Sequence, residues 1–233
     1  MENENQKIPD GTNDSKKKTS DYVDTDKYLS SCKTALKNAS DPAIEPLLTK
    51  RGYTPDIIAE KLVELDKVTD LVNKQQKEYG EQYEATEGYT EVIDDLGDDF
   101  NDHVGFARAV FEDNVSALTA LGLRGRRSRT QSGYAAQGVQ FYKGILDNPS
   151  YIDAMANIGV ELDELKEMLL KFQKLADLTS IKTKETGEAQ IATKARDAAL
   201  HAFEKWFSKF KKVGKIALRK FPQLREKLGW LER

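Results

Sequence analysis

Cysteine occurs once in the 233 residues, at Cys32, and histidine twice, at His103 and His201. A single thiol closes no internal disulfide and supplies no zinc ribbon or Cys-x-x-Cys pair, so a reducing, cytoplasmic setting is expected. Neither histidine stands in a nucleophile-and-base motif. The chain also lacks Gly-x-Ser-x-Gly, a phosphate-cradling glycine loop and a dinucleotide fingerprint. These absences argue for a protein that is not an enzyme and holds no cofactor. Apolar runs of spanning length are missing too, so no transmembrane helix is expected. The opening "MENENQKIPD" has no basic-then-apolar order of a secretory signal. Proline is scarce, at six residues, and only Pro149 falls between Pro55 and Pro222.

What the sequence does contain is charge. Asp, Glu, Lys and Arg make up 32% of residues, hydrophobic residues 39% and aromatics 9%, with a net charge of −3. Enough apolar side chains are present to build a core, and the low proline content favours long, solvated helices. Residues 1–26 are polar and carry almost no apolar residues, which marks them as a disordered tail.

Sliding the chain by 107 positions aligns residues 28–123 with 135–230 without a gap, with 17 identities in 96 positions. Unrelated sequences of ordinary composition share roughly 6 in that span. The matches include structural punctuation: Pro42/Pro149, Gly52/Gly159, Gly80/Gly187 and Gly122/Gly229. "KEYGEQYEAT" (77–86) falls on "KETGEAQIAT" (184–193). The match reads as a tandem duplication, with copy one at 27–123, an Arg-rich linker at 124–132 and copy two at 133–233.

In each copy a first short helix ends before Asp41-Pro42 or Asn148-Pro149, since proline disfavours the helical conformation just before it. A second short helix follows and stops at Gly52 or Gly159. Thr54-Pro55-Asp56 then caps a long helix with an acidic first turn. Apolar residues recur at spacings of three and four along it, at Leu62, Leu65, Val68 and Val72 and again at Ile93, Leu96, Phe100, Val104, Ala107 and Phe111. A weaker stretch around Gly80, and its counterpart around Gly187, is either a close helix crossing or a turn that folds the segment into a hairpin. The expected architecture is an all-α, elongated helical bundle with pseudo-two-fold symmetry.

The two copies differ in charge. Residues 28–123 hold 9 Lys+Arg against 19 Asp+Glu, net −10, and residues 135–230 hold 17 against 12, net +5. The acidic face is Asp94, Asp95, Asp98, Asp99 and Asp102; Asp98 and Asp102 align with Lys205 and Lys209. Opposite faces of this kind either pair within the chain, pair between chains, or stay solvated. The four-residue spacing of Asp95, Asp99 and His103 can share a cation. Copy two has Trp206 and Phe210 in place of Asp99 and His103, so no metal role is assigned.

Anion-binding candidates are Arg124, Arg126, Arg127 and Arg129 in the linker and Lys205, Lys209, Lys212 and Lys215 on the basic, amphipathic C-terminal helix. The apolar stripe of that helix reads first as bundle core. "GRR" (125–127), "QFY" (140–142), Ala195-Arg196-Asp197, Trp206, Ile216-Ala217-Leu218, Pro222-Gln223-Leu224 and Leu228-Gly229 together resemble a group of uncharacterised bacterial all-helical proteins. That resemblance implies the fold and no particular activity. The functional expectation is a scaffold, adaptor or self-assembling element that binds a protein partner or itself. Nucleic acid or another anionic surface is the second-ranked partner.

Overall fold

The computed structural model describes the backbone from residue 14 to residue 230 and the side chains from Thr25. Eight helices and no strand are found among these residues: α1 (Asp14–Asn38), α2 (Glu45–Thr49), α3 (Pro55–Val110), α4 (Val115–Ala120), α5 (Gln131–Leu146), α6 (Pro149–Ala156), α7 (Leu162–Ala217) and α8 (Pro222–Lys227). The all-α expectation holds. Of the tail expected over 1–26, residues 1–13 lie outside the described residues, and from Asp14 the backbone is already within α1.

Positions paired by the 107-residue shift adopt matching local structure. Helices α3 and α7 are each 56 residues long and begin and end at paired positions, as do α4 and α8. Gly52 and Gly159 have φ of 85° and 89°, the left-handed region that only glycine enters without steric cost. In both places the next residue donates back across the turn, Tyr53 N–H to Leu48 O and Val160 N–H to Met155 O, each at 3.2 Å. Gly122 and Gly229 repeat the geometry at φ of 67° and 73°. Side-chain caps start several helices: Asn114 accepts from Ala117 N–H, Thr130 from Gly133 N–H and Asn148 from Ser150 N–H.

The long segments do not turn at Gly80 or Gly187; both glycines sit inside unbroken helices. Close crossing is not the reason for them either, because a Cβ built on each meets nothing within 4 Å. The break in the first long segment comes instead after Val110. The backbone leaves the helix through a turn there, and Asn114 caps α4.

Two compact units form, and each draws on both of the aligned segments, 28–123 and 135–230. One unit contains α1, α2, α3 as far as Lys74, and the chain from Lys194 on. Its core gathers Leu29, Cys32 and Leu36 of α1, Leu48 of α2, Leu65, Val68 and Val72 of α3, and Phe203, Phe207 and Phe210 of α7. Trp206 stacks on Phe210 at 5.4 Å, and Trp230 meets the same ring edge-on at 5.4 Å. Burial in this core pushes the Cys32 thiol up to about 11.

The other unit spans Gln75–Thr193. Its core joins Leu96, Phe100, Val104 and Ala107 of α3 to Phe141, Tyr142 and Ile145 of α5 and to Leu165, Met168, Phe172 and Leu175 of α7. Within it α3 and α7 run antiparallel: Asp95 pairs with Lys171 and, two turns further along α3, His103 pairs with Glu164, two turns back along α7. Gly138 lets α5 approach α7, since a Cβ there would lie 2.0 Å from the Phe172 ring.

These glycines separate cleanly in a stability test. Gly80→Ala and Gly187→Ala are each expected to stabilise the protein by about 0.4–1 kcal/mol, because the helix is kept and the unfolded chain loses freedom. Gly138→Ala is expected to destabilise by about 1–3 kcal/mol through overpacking. Urea unfolding followed by circular dichroism measures all three.

Candidate functional site

The acidic run lies on α3 in the Gln75–Thr193 unit. Leu96, Phe100 and Val104 turn into the core, which leaves Asp94, Asp95, Asp98, Asp99 and Asp102 exposed. Asp95 is bridged to Lys171 Nζ at 3.0 Å. Asp94, Asp98, Asp99 and Asp102 have no ion partner within contact distance among the described residues. On α7, Lys205, Lys209 and Lys212 are likewise exposed, without such a partner, while the alternating Phe203, Phe207 and Phe210 are buried. Lys215 is half-buried. Of the stripe at Phe207, Phe210, Val213, Ala217 and Phe221, the first two are buried in the core, Val213 and Ala217 are half-buried, and Phe221 is 46% exposed. Residues 194–230 carry 11 Lys+Arg against 3 Asp+Glu, and residues 75–193 carry 12 against 21.

The arginines of the linker behave differently from one another. Arg127 is anchored: its guanidinium donates to Asn101 Oδ1 and lies 4.9 Å from the centre of the Phe100 ring. Ser128 N–H donates to Gln137 Oε1 at 2.9 Å, which fixes the linker to α5. Arg124, Arg126 and Arg129 are exposed. The linker belongs to the Gln75–Thr193 unit and the basic end of α7 to the other.

His103 does not join Asp95 and Asp99 as the four-residue spacing allows. It is buried, with Nδ1 2.9 Å from Tyr142 Oη and Nε2 3.0 Å from Glu164 Oε1. A carboxylate only accepts, so Nε2–H donates to Glu164, and Nδ1 shares a hydrogen bond with the Tyr142 hydroxyl. Burial raises the tyrosine's pKa and keeps the hydroxyl proton in place. Both ring nitrogens are used, which leaves no lone pair for a cation. The aligned positions in the other unit are Phe210, Ala35 and Ile57, so this network exists in one unit only.

A cleft of about 560 Å³ lies between α3 and α7 in the Gln75–Thr193 unit. Its charged lining is Lys77, Glu78, Glu81 and Glu84 from α3 and Lys184, Glu185 and Glu188 from α7. Lys77 Nζ holds Glu81 at 3.2 Å, and Lys184 Nζ holds Glu185 at 3.0 Å and Glu188 at 3.4 Å. These hydrogen bonds raise the pKa of both lysines and keep them charged. Sequence reasoning passed over this place. Its signal was the repeated Lys-Glu-x-Gly-Glu, read as a weak point in each helix.

No family model, curated protein or solved structure matches this chain. No helix among the described residues is long and apolar enough to cross a membrane.

Removing the Tyr142 hydroxyl leaves the buried Nδ1 of His103 without its partner. Tyr142→Phe is expected to cost about 1–3 kcal/mol. A double-mutant cycle with His103→Leu is expected to recover part of the loss, because two apolar groups leave nothing unpaired. Additive losses in chemical denaturation would show that the two side chains are not coupled.

Proposed function

We propose that the protein is a non-enzymatic, self-associating scaffold built from a duplicated helical module, in which the acidic face of one copy docks on the basic face of the next. The observation that carries this reading is the pair of unused faces. Asp94, Asp98 and Asp102 on one unit and Lys205, Lys209 and Lys212 on the other are exposed and have no ion partner among the described residues. Contacts between unlike faces of identical chains are heterologous and can propagate. Opposite potentials also speed encounter and set register. A second reading, nucleic-acid binding, draws on exposed Arg124, Arg126 and Arg129. Such binding weakens steeply with salt, because each neutralised phosphate releases a counterion.

Molar mass by light scattering after size exclusion, at about 50 mM and about 500 mM salt, tests the scaffold, since screening differs strongly between them. Oligomers at low salt that dissociate at high salt are expected. K205E/K209E/K212E is expected to be monomeric at both, as is D94K/D98K/D102K, and mixing the two at low salt is expected to restore association. A wild-type monomer at low salt overturns self-assembly. Salt-sensitive RNA or DNA binding lost in R124A/R126A/R129A then favours the second reading.

A further inference from the structure

We propose that the cleft between α3 and α7 is a binding site for a hard divalent cation of Ca2+ size, held by Glu78, Glu185 and Glu188. One carboxylate oxygen from each of these three lies within 4.8 Å of the others. The donors are all carboxylate oxygens, with no sulfur or imidazole, a set that suits Ca2+, Mg2+ or Mn2+ rather than zinc or copper. Mg2+ keeps several waters and is usually held by one or two carboxylates, so a set of three favours the larger ion.

The decisive feature is Glu78. The residue is only 9% exposed, and its Oε2 is buried with no hydrogen-bond partner. A carboxylate oxygen taken out of water needs a compensating charge or donor. Lys77 acts on Glu78 through its charge, but neither lysine of the cleft hydrogen-bonds the buried oxygen. Lys77 is committed to Glu81, and Lys184 sits on Glu185 and Glu188 with its side chain 64% exposed, at the solvent side. The lining holds five carboxylates against two ammonium groups. The excess negative charge and the orphaned oxygen are both answered by one cation placed among the three glutamates.

The sequence repeats the arrangement. The 107-residue shift pairs Lys77 with Lys184, Glu78 with Glu185 and Glu81 with Glu188, and six of the ten positions in 77–86 are identical to 184–193. This is the densest stretch of identity between the two aligned segments, and three of its six identical pairs are charged: Lys77/Lys184, Glu78/Glu185 and Glu81/Glu188. Fold maintenance alone would be expected to retain apolar positions. Each helix delivers the same Lys-Glu-x-Gly-Glu pattern to the cleft.

Calorimetric titration of the EDTA-treated full-length protein with CaCl2, then separately with MgCl2 and MnCl2, tests the site. Saturable binding of one Ca2+ per chain is expected, with a melting temperature that rises with Ca2+ concentration. Glu78→Gln is isosteric and is expected to weaken binding at least roughly tenfold, the effect that even outer-shell substitutions produce at metal sites. E185Q/E188Q is expected to do the same, and D153N/E161Q, at exposed acidic positions outside both the cleft and the docking faces, to leave binding unchanged. Should Glu78→Gln not fold, E185Q/E188Q, on the more open carboxylates, decides the question. Absence of saturable binding of all three ions at millimolar concentration, or wild-type affinity in the folded glutamine variants, overturns the site. Tighter binding of Mg2+ than Ca2+ overturns the size assignment.

Discussion

Two helices that run 56 residues without a break impose one constraint on everything else in this chain: their inward face must be matched along its length. Apolar side chains at spacings of three and four meet that demand around Leu65, Val68 and Val72 and again around Leu96, Phe100 and Val104. Between these stretches the buried polar positions are Gln75 and Glu78 on α3, beside buried Tyr89, and Thr179 is buried on α7. A continuous helix cannot rotate such residues outward without also rotating the apolar stripe on either side. The polar positions are thus held inside by their neighbours, and their partners must come from the packing helix or from solution. Thr179 satisfies itself, donating its hydroxyl to Leu175 O at 2.8 Å. Glu78 has no such local solution.

Local punctuation made much of the fold legible. Pro149 after Asn148 and Gly159 after the short helix mark boundaries that depend on a residue and its immediate neighbours, and the same signals recur 107 positions away. The helix end at Val110 was not visible, because "FEDN" contains neither proline nor glycine and its stop rests on Asn114 capping the next helix. Gly80 misled in the opposite direction. Its cost to a helix is about 1 kcal/mol, which flanking apolar turns outweigh. The composition of each unit from both aligned segments was not legible either, since periodicity reveals which face is buried and not what buries it.

The candidate sites divide along the same line. Exposure of Asp94, Asp98 and Asp102 and of Lys205, Lys209 and Lys212 follows from helical phase against Leu96, Phe100, Phe203 and Phe207, and phase is a property of sequence. The partners of His103, Arg127 and Glu78 come from other helices. Spacing on one helix linked His103 to Asp99, but the phase that buries Phe100 and Val104 turns His103 inward to Tyr142 and Glu164. Arg127 is held by an aromatic ring and an amide rather than by the acidic residues its charge suggested.

The paired positions also show how two units with matching helix boundaries come to differ chemically. Where one unit places Phe210 against Trp206, Trp230 and Tyr53, the other places His103 against Tyr142 and Glu164. The aromatic cluster gains from area and ring geometry and tolerates small shifts. The polar network tolerates few, because a displaced hydrogen bond leaves a buried group unpaired. The unit that holds the polar network also holds the acidic cleft, with five carboxylates against two ammonium groups. A cation in the cleft would tie α3 to α7 where apolar contacts are fewest, and would reinforce the register on which the His103 network depends.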